Sequence, residues 1–154
     1  MDMSAVPLMP EFPSSILSGF QAGQTELKVG MDLVRIERIQ TSLARFGERF
    51  QRRIYTREEW AYAQASPHLM LERLAARFAA KEAAFKALGL PGLGASWQDM
   101  AVVRQDDGAV ALRLSGRAQV VAAQNGVLQT ALSISHDGAY AAAIVAVIAR
   151  IQHV

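Results

Sequence analysis

Hydrophobic and polar positions alternate from Leu27 to Asp32, with Leu27, Val29 and Met31 set against Lys28, Gly30 and Asp32. That is the period of a strand with one buried face, and it leaves Asp32 on the polar side near the strand's end. From Ile36 the apolar spacing lengthens to Ile36, Ile39, Leu43 and Phe46, which predicts a helix closed by Gly47. Phe50 to Tyr55 leads into Thr56-Arg57-Glu58-Glu59, a capping box that predicts a short helix through Trp60 to about Ala65. Ser66 and Pro67 then stand where a cap and a first-turn proline belong, and Gly89 where a stop belongs, so a long central helix is predicted between them. Its apolar stripe runs through Leu71, Leu74, Phe78, Phe85 and Leu88. A residue near position 81 or 82 should continue it, yet both are charged: Lys81 can snorkel out of such a seam, and Glu82 cannot easily do so.

Beyond the helix, Gly89 to Ser96 is a glycine-containing loop. Met100 to Gln105 and Val110 to Leu114 read as strands joined at Asp106-Asp107-Gly108, and Arg117 to Gln124 as a helix ended by Asn125-Gly126. Leu128 to His136 and Tyr140 to Ile151 form a second predicted hairpin across Asp137-Gly138. The order is strand, three helices, two strands, helix, two strands. This predicts an α+β fold with a mostly antiparallel sheet packed against a helix cluster. One domain is expected over residues 27–154, and residues 1–26, with Pro7, Pro10 and Pro13 among serines and small residues, read as an N-terminal extension or arm.

Composition narrows this picture. A chain of 154 residues, 51% of them hydrophobic, can bury one sizeable core. The absence of cysteine excludes disulfides and thiolate metal sites. The apolar run from Ala139 to Ala149 is too short to span a membrane, so a cytoplasmic protein without a membrane partner is expected. Net charge is only +2, but Arg35, Arg38, Arg45, Arg49, Arg52, Arg53 and Arg57 crowd one region. Such a cluster either is a solvated helix face or attracts nucleic acid, an acidic protein or a phosphorylated ligand. No RNA-binding motif with interleaved aromatics accompanies it, and no nucleic-acid partner is expected.

Chemistry is sought first at Glu82. One turn after Phe78 and beside Phe85, its carboxylate sits at the edge of the buried arc and calls for a cation. Lys86, four residues on, would serve as a simple helix-surface partner. Alternatively, Glu82 holds a metal and Lys86 neutralises an anion beside it. Asp32 on its own reads as a strand-end acid capping the next helix.

Three stretches together resemble the holo-acyl-carrier-protein synthases, which are 4′-phosphopantetheinyl transferases. They are Val29-Gly30-Met31-Asp32-Leu33-Val34 with Arg38, then Arg77 to Gly89 with its Arg-Phe-Ala-Ala-Lys-Glu-Ala core, then Leu132-Ser133-Ile134-Ser135-His136. Similarity extends through Thr56-Arg57-Glu58-Glu59 and Ser96-Trp97-Gln98-Asp99. The resemblance implies transfer of the phosphopantetheine arm of coenzyme A onto a serine hydroxyl of an apo acyl carrier protein, releasing adenosine 3′,5′-bisphosphate. It implies Asp32 and Glu82 as magnesium ligands and Lys86 as the pyrophosphate partner, these three forming the catalytic set. Arg77 and His136 are implied near the nucleotide, His136 toward the 3′-phosphate. Asp137 is a base, an adenine contact or part of the turn. A metal-bound water, Glu82 and Asp137 all stand as candidates for the general base. Arg38 and Arg45 would dock the acidic carrier protein of fatty-acid or polyketide synthesis, and a homotrimer with active sites between subunits is implied.

The chain departs from the family at Lys28, at the Gly89 to Gly94 loop, and at Gly108-Ala109-Val110 in place of Gly-Lys-Pro. The alternative reading is a non-catalytic coenzyme A-binding or carrier-protein-binding module.

Overall fold

The computed structural model describes residues 23–152. Most of the expected arm lies outside these residues. Strand β1 (Thr25–Arg35) opens the fold, followed by α1 (Ile36–Phe46), α2 (Glu48–Ile54) and α3 (Arg57–Gln64). A 3-10 turn (Pro67–Leu69) precedes α4 (Met70–Leu88), so Ser66 and Pro67 start that turn and the long helix begins three residues later. A second 3-10 turn (Trp97–Asp99) leads into β2 (Met100–Arg104) and β3 (Val110–Leu114), then α5 (Gly116–Gln124), β4 (Val127–Asp137) and β5 (Tyr140–Arg150).

The main sheet is antiparallel in the order β1-β5-β4, and β2-β3 forms a separate hairpin. The α+β class is as expected; α2 forms where the sequence pattern predicts only a connector. The Thr56 capping box is formed, with Glu59 N donating to Thr56 Oγ1 and Thr56 N donating to Glu59 Oε2. Gly89 ends α4 in the left-handed conformation at φ 65°, which glycine adopts without strain.

Helix α4 crosses the inner face of the sheet. Both surfaces are built from small residues: Ala79, Ala80, Ala83, Ala84 and Ala87 on the helix, and Ala141, Ala143, Val145, Val147 and Ala149 on β5, all buried. Small side chains let the backbones approach closely. At Gly30 the approach is so tight that an added Cβ would lie 2.0 Å from the Ala83 carbonyl oxygen.

This packing corrects the expected orientation of β1. Gly30 and Val34 face the helix, whereas Leu27, Val29, Met31 and Leu33 point outward, 58–61% exposed. The alternation is real, but its apolar side is the outer one, because only the side carrying glycine can lie against α4. Asp32, on the polar side, is thereby carried inward to the helix.

Candidate active site

The crossing of β1 and α4 sets the first cluster. Lys86 Nζ donates to Asp32 Oδ1 at 2.9 Å and to the Met31 carbonyl oxygen at 2.8 Å. Lys86 therefore ties the helix to the strand, and the simple partnership with Glu82 is not what the structure shows. Asp32 lies within the strand, and the first turn of α1 has no side-chain cap. Burial pushes the Glu82 pKa up, the Asp32 charge pushes it further, and Lys86 and Arg38 oppose the rise. Two carboxylates in mutual repulsion thus meet between a strand and a helix, with one lysine and one arginine as counter-charges.

Glu82 opens onto a groove of about 470 Å³. Phe46, Phe50, Phe78 and Trp97 supply apolar lining, and Arg38, Arg49 and Arg53 supply positive charge. Phe78 stacks on Trp97 with centroids 5.2 Å apart, and the Arg38 guanidinium lies 5.5 Å from the Phe78 ring centroid. Arg45 covers Phe46 at 5.0 Å and does not line the groove. Arg49 and Arg53 take that place.

Behind the groove stands a buried strut. Lys81 is fully buried, and its Nζ binds Glu59 Oε2 at 2.7 Å, the Ile54 carbonyl at 2.5 Å and the Trp97 carbonyl at 3.0 Å. Glu59 accepts in addition from Val102 N at 2.8 Å. Lys81 does not snorkel out. Burial lowers its pKa, and the charge and hydrogen bond of Glu59 oppose the drop.

A second cluster occupies another face of α4, since Arg77 precedes Glu82 by five residues and thus by about 140° of helix rotation. Arg77 is 4% exposed, and its guanidinium lies 4.2 Å from the Tyr62 ring centroid. Arg73 lies 4.3 Å and Arg104 5.8 Å from the same centroid. These residues border a pocket of about 210 Å³ together with His136 and Glu72. His136 Nδ1 is 3.7 Å from Glu72 Oε2. Burial lowers the Arg77 pKa; Glu59 and Tyr62 oppose this, while Arg104 and Arg73 add to it. Among the described residues, Arg77 Nε is buried without a hydrogen-bond partner, and none of the three arginines there has a carboxylate within ion-pair distance. Repelling guanidiniums around an unsatisfied donor form a place for an anion.

The structure thus brings Asp32, Glu82, Lys86 and Arg38 together, and Arg77 and His136 together elsewhere. Asp137, at the exposed end of β4 opposite Tyr140, lines neither cavity. Tyr62, Arg73 and Arg104 were missed in the sequence. Arg73 and Arg77 carried a usable signal, because two like charges one turn apart disfavour a helix unless something anionic joins them.

Comparison with known proteins agrees with this architecture. The profile of the 4′-phosphopantetheinyl transferase superfamily matches residues 28–145. A holo-[acyl-carrier-protein] synthase of Gloeobacter violaceus is 45% identical over 128 residues, covering 82% of this chain and 97% of that protein. The Chronobacterium ammoniagenes ACPS–CoA complex superposes with TM-score 0.72 at 33% identity, covering 83% of this chain and 99% of that one. The Helicobacter pylori holo-[acyl-carrier-protein] synthase in complex with coenzyme A gives TM-score 0.67 at 29% identity, covering 77% and 98%. On the strength of the profile match and these relatives, the chain belongs to the 4′-phosphopantetheinyl transferase superfamily.

Proposed function

We propose that this chain is a holo-[acyl-carrier-protein] synthase that uses magnesium, acts in the cytoplasm and works as a homotrimer. It transfers 4′-phosphopantetheine from coenzyme A to a serine of an apo acyl carrier protein. The single observation that carries this reading is the meeting of Asp32 and Glu82, fifty residues apart in the chain, with Lys86 between strand and helix.

The donor set suits magnesium, which takes oxygen ligands and is commonly held by one or two carboxylates plus substrate phosphates. Among the described residues no group of three or more metal-ligating side chains exists, so the remaining ligands would come from phosphate and water. When bound, such an ion would draw off negative charge from the diphosphate. Lys86, half-exposed on the last turn of α4, has the reach to place its ammonium on the same phosphates. The serine hydroxyl gives its proton to a base as its oxygen bonds to the β-phosphorus, the bridging P–O bond breaks, and adenosine 3′,5′-bisphosphate leaves with the electron pair of that bond. Little else is required of the protein but alignment and charge.

The groove fits the carrier. Arg38, Arg49 and Arg53 beside aromatic side chains match an acidic helix with apolar anchors, and Arg45 extends the positive face of α1. The Arg77–His136 pocket fits the phosphorylated nucleotide. Its distance around α4 from Glu82 supports a site completed by a neighbouring chain, and the outward apolar face of β1 supports the trimer.

The test is intact-mass measurement of apo carrier proteins incubated with the chain, coenzyme A and magnesium. Gain of one phosphopantetheine is expected, and Glu82→Gln should slow it at least about a hundredfold. An unchanged rate in that variant would overturn the metal assignment.

A further inference from the structure

Lys86 has two claims on one ammonium. In the structure it is anchored to β1, through the Asp32 carboxylate at 2.9 Å and the Met31 carbonyl at 2.8 Å. In the reaction it is wanted on the diphosphate. Its side chain is 51% exposed, so moving it off the strand meets little packing resistance, whereas Asp32, at 19%, is held in place. A divalent ion that reaches Asp32 without a diphosphate must share that carboxylate with a positive charge already in contact with it, and a displaced lysine would gain only water. With diphosphate present the lysine has oxyanions to go to. The free energy of bringing the ion in therefore depends on what else is bound.

We propose, resting on the function argued above, that Lys86 makes loading of the divalent ion conditional on coenzyme A: it holds Asp32 until phosphate oxygens take its ammonium, so that ion and nucleotide bind as a unit. Free ion is then bound weakly, and the two carboxylates are not committed to an ion that lacks its substrate. By reciprocity the ion raises the affinity for coenzyme A by the same factor as coenzyme A raises that for the ion. Part of this coupling comes from direct ion–phosphate contact, and the part contributed by Lys86 disappears with its ammonium.

The experiment measures Mn²⁺ binding by the paramagnetic resonance of the free ion, with and without coenzyme A, for the wild-type chain, Lys86→Met and Arg38→Met. The arginine variant controls for the mere removal of a nearby positive charge. Lys86→Met is expected to bind Mn²⁺ alone about 1.5-fold to fivefold tighter than wild type, a range set by the usual worth of a half-exposed ion pair. Arg38→Met should change it less, and the gain in Mn²⁺ affinity on adding coenzyme A should shrink in Lys86→Met. Unchanged or weaker Mn²⁺ binding in Lys86→Met overturns the proposal, as does an equal gain in Arg38→Met, and both leave the transferase reading standing. If wild type binds no Mn²⁺ even with coenzyme A, the two-carboxylate assignment falls and this proposal with it.

Discussion

At the scale of single residues, adjacent charges on α4 divide the work. Glu82 faces a groove and its neighbour Lys81 is sealed inside. The apolar periodicity of the helix marked position 81 or 82 as belonging to the core, and the structure assigns that place to Lys81. Its partner was hidden from the sequence: Glu59 was legible only as the closing residue of a capping box, and nothing local says that the same carboxylate binds a lysine on another helix and Val102 N on a strand. Removing the lysine alone strands a buried carboxylate and two carbonyls. Lys81→Met should cost about 3–5 kcal/mol in urea unfolding, and combining it with Glu59→Gln should restore about half, since the neutral amide no longer needs a cation. A loss below about 1 kcal/mol in the single variant would show that the buried pair contributes no more than an exposed one. The groove should register the same lesion, because Ile54 and Trp97, whose carbonyls Lys81 holds, both line it.

At the scale of elements, β1 is the instructive case. Alternation in a sequence tells which side chains share a face, but burial within the chain depends on what lies across from each face. Leucine, valine and methionine would ordinarily claim the helix side; here the Ala83 carbonyl leaves room only for Gly30. Asp32 reaches Glu82 and Lys86 because of that inversion, so packing and chemistry depend on the same glycine. Gly30→Ala should force β1 off α4, lowering stability by about 1–3 kcal/mol as an overpacked core does. Activity should fall further than the loss of folded protein explains, because the Asp32–Lys86 contact spans the displaced interface. Comparing the thermal midpoint with kcat of the folded fraction separates the two effects. An alanine variant with wild-type kcat would mean that the site tolerates a shifted strand. The other strands, the capping box and the αL stop of α4 were legible because local turn and cap chemistry decides them. Helix α2 was not, since it is only seven residues long, with two apolar positions, Phe50 and Ile54, too few to show a period.

At the scale of the whole molecule, the described residues leave an apolar sheet face uncovered. Leu27, Val29, Met31 and Leu33 on β1 lie opposite Ile148, Ala146, Ile144 and Ala142 on β5, and Ile144 is 45% exposed. A continuous face of this kind, with no helix among the described residues long and apolar enough to cross a membrane, is suited to contact with copies of itself. The carboxylate pair and the arginine pocket point away from each other around α4, so the proposed trimer assigns them to different chains at each active site. Mixing inactive variants tests this arrangement. One chain carries Glu82→Gln and lacks the proposed metal ligand; the other carries His136→Ala with Arg104→Ala, both at exposed positions, and lacks the proposed anion contacts. In mixed trimers formed by co-refolding, some sites receive an intact carboxylate pair from one chain and an intact pocket from the next. Activity should then rise well above the sum of the separate variants. If each chain built its site alone, every site in the mixture would carry one lesion and the activity would equal that sum. Adding Met31→Lys to both chains supplies the control, since a charge in the middle of the apolar face should abolish the recovery by preventing assembly, which size-exclusion chromatography would report directly.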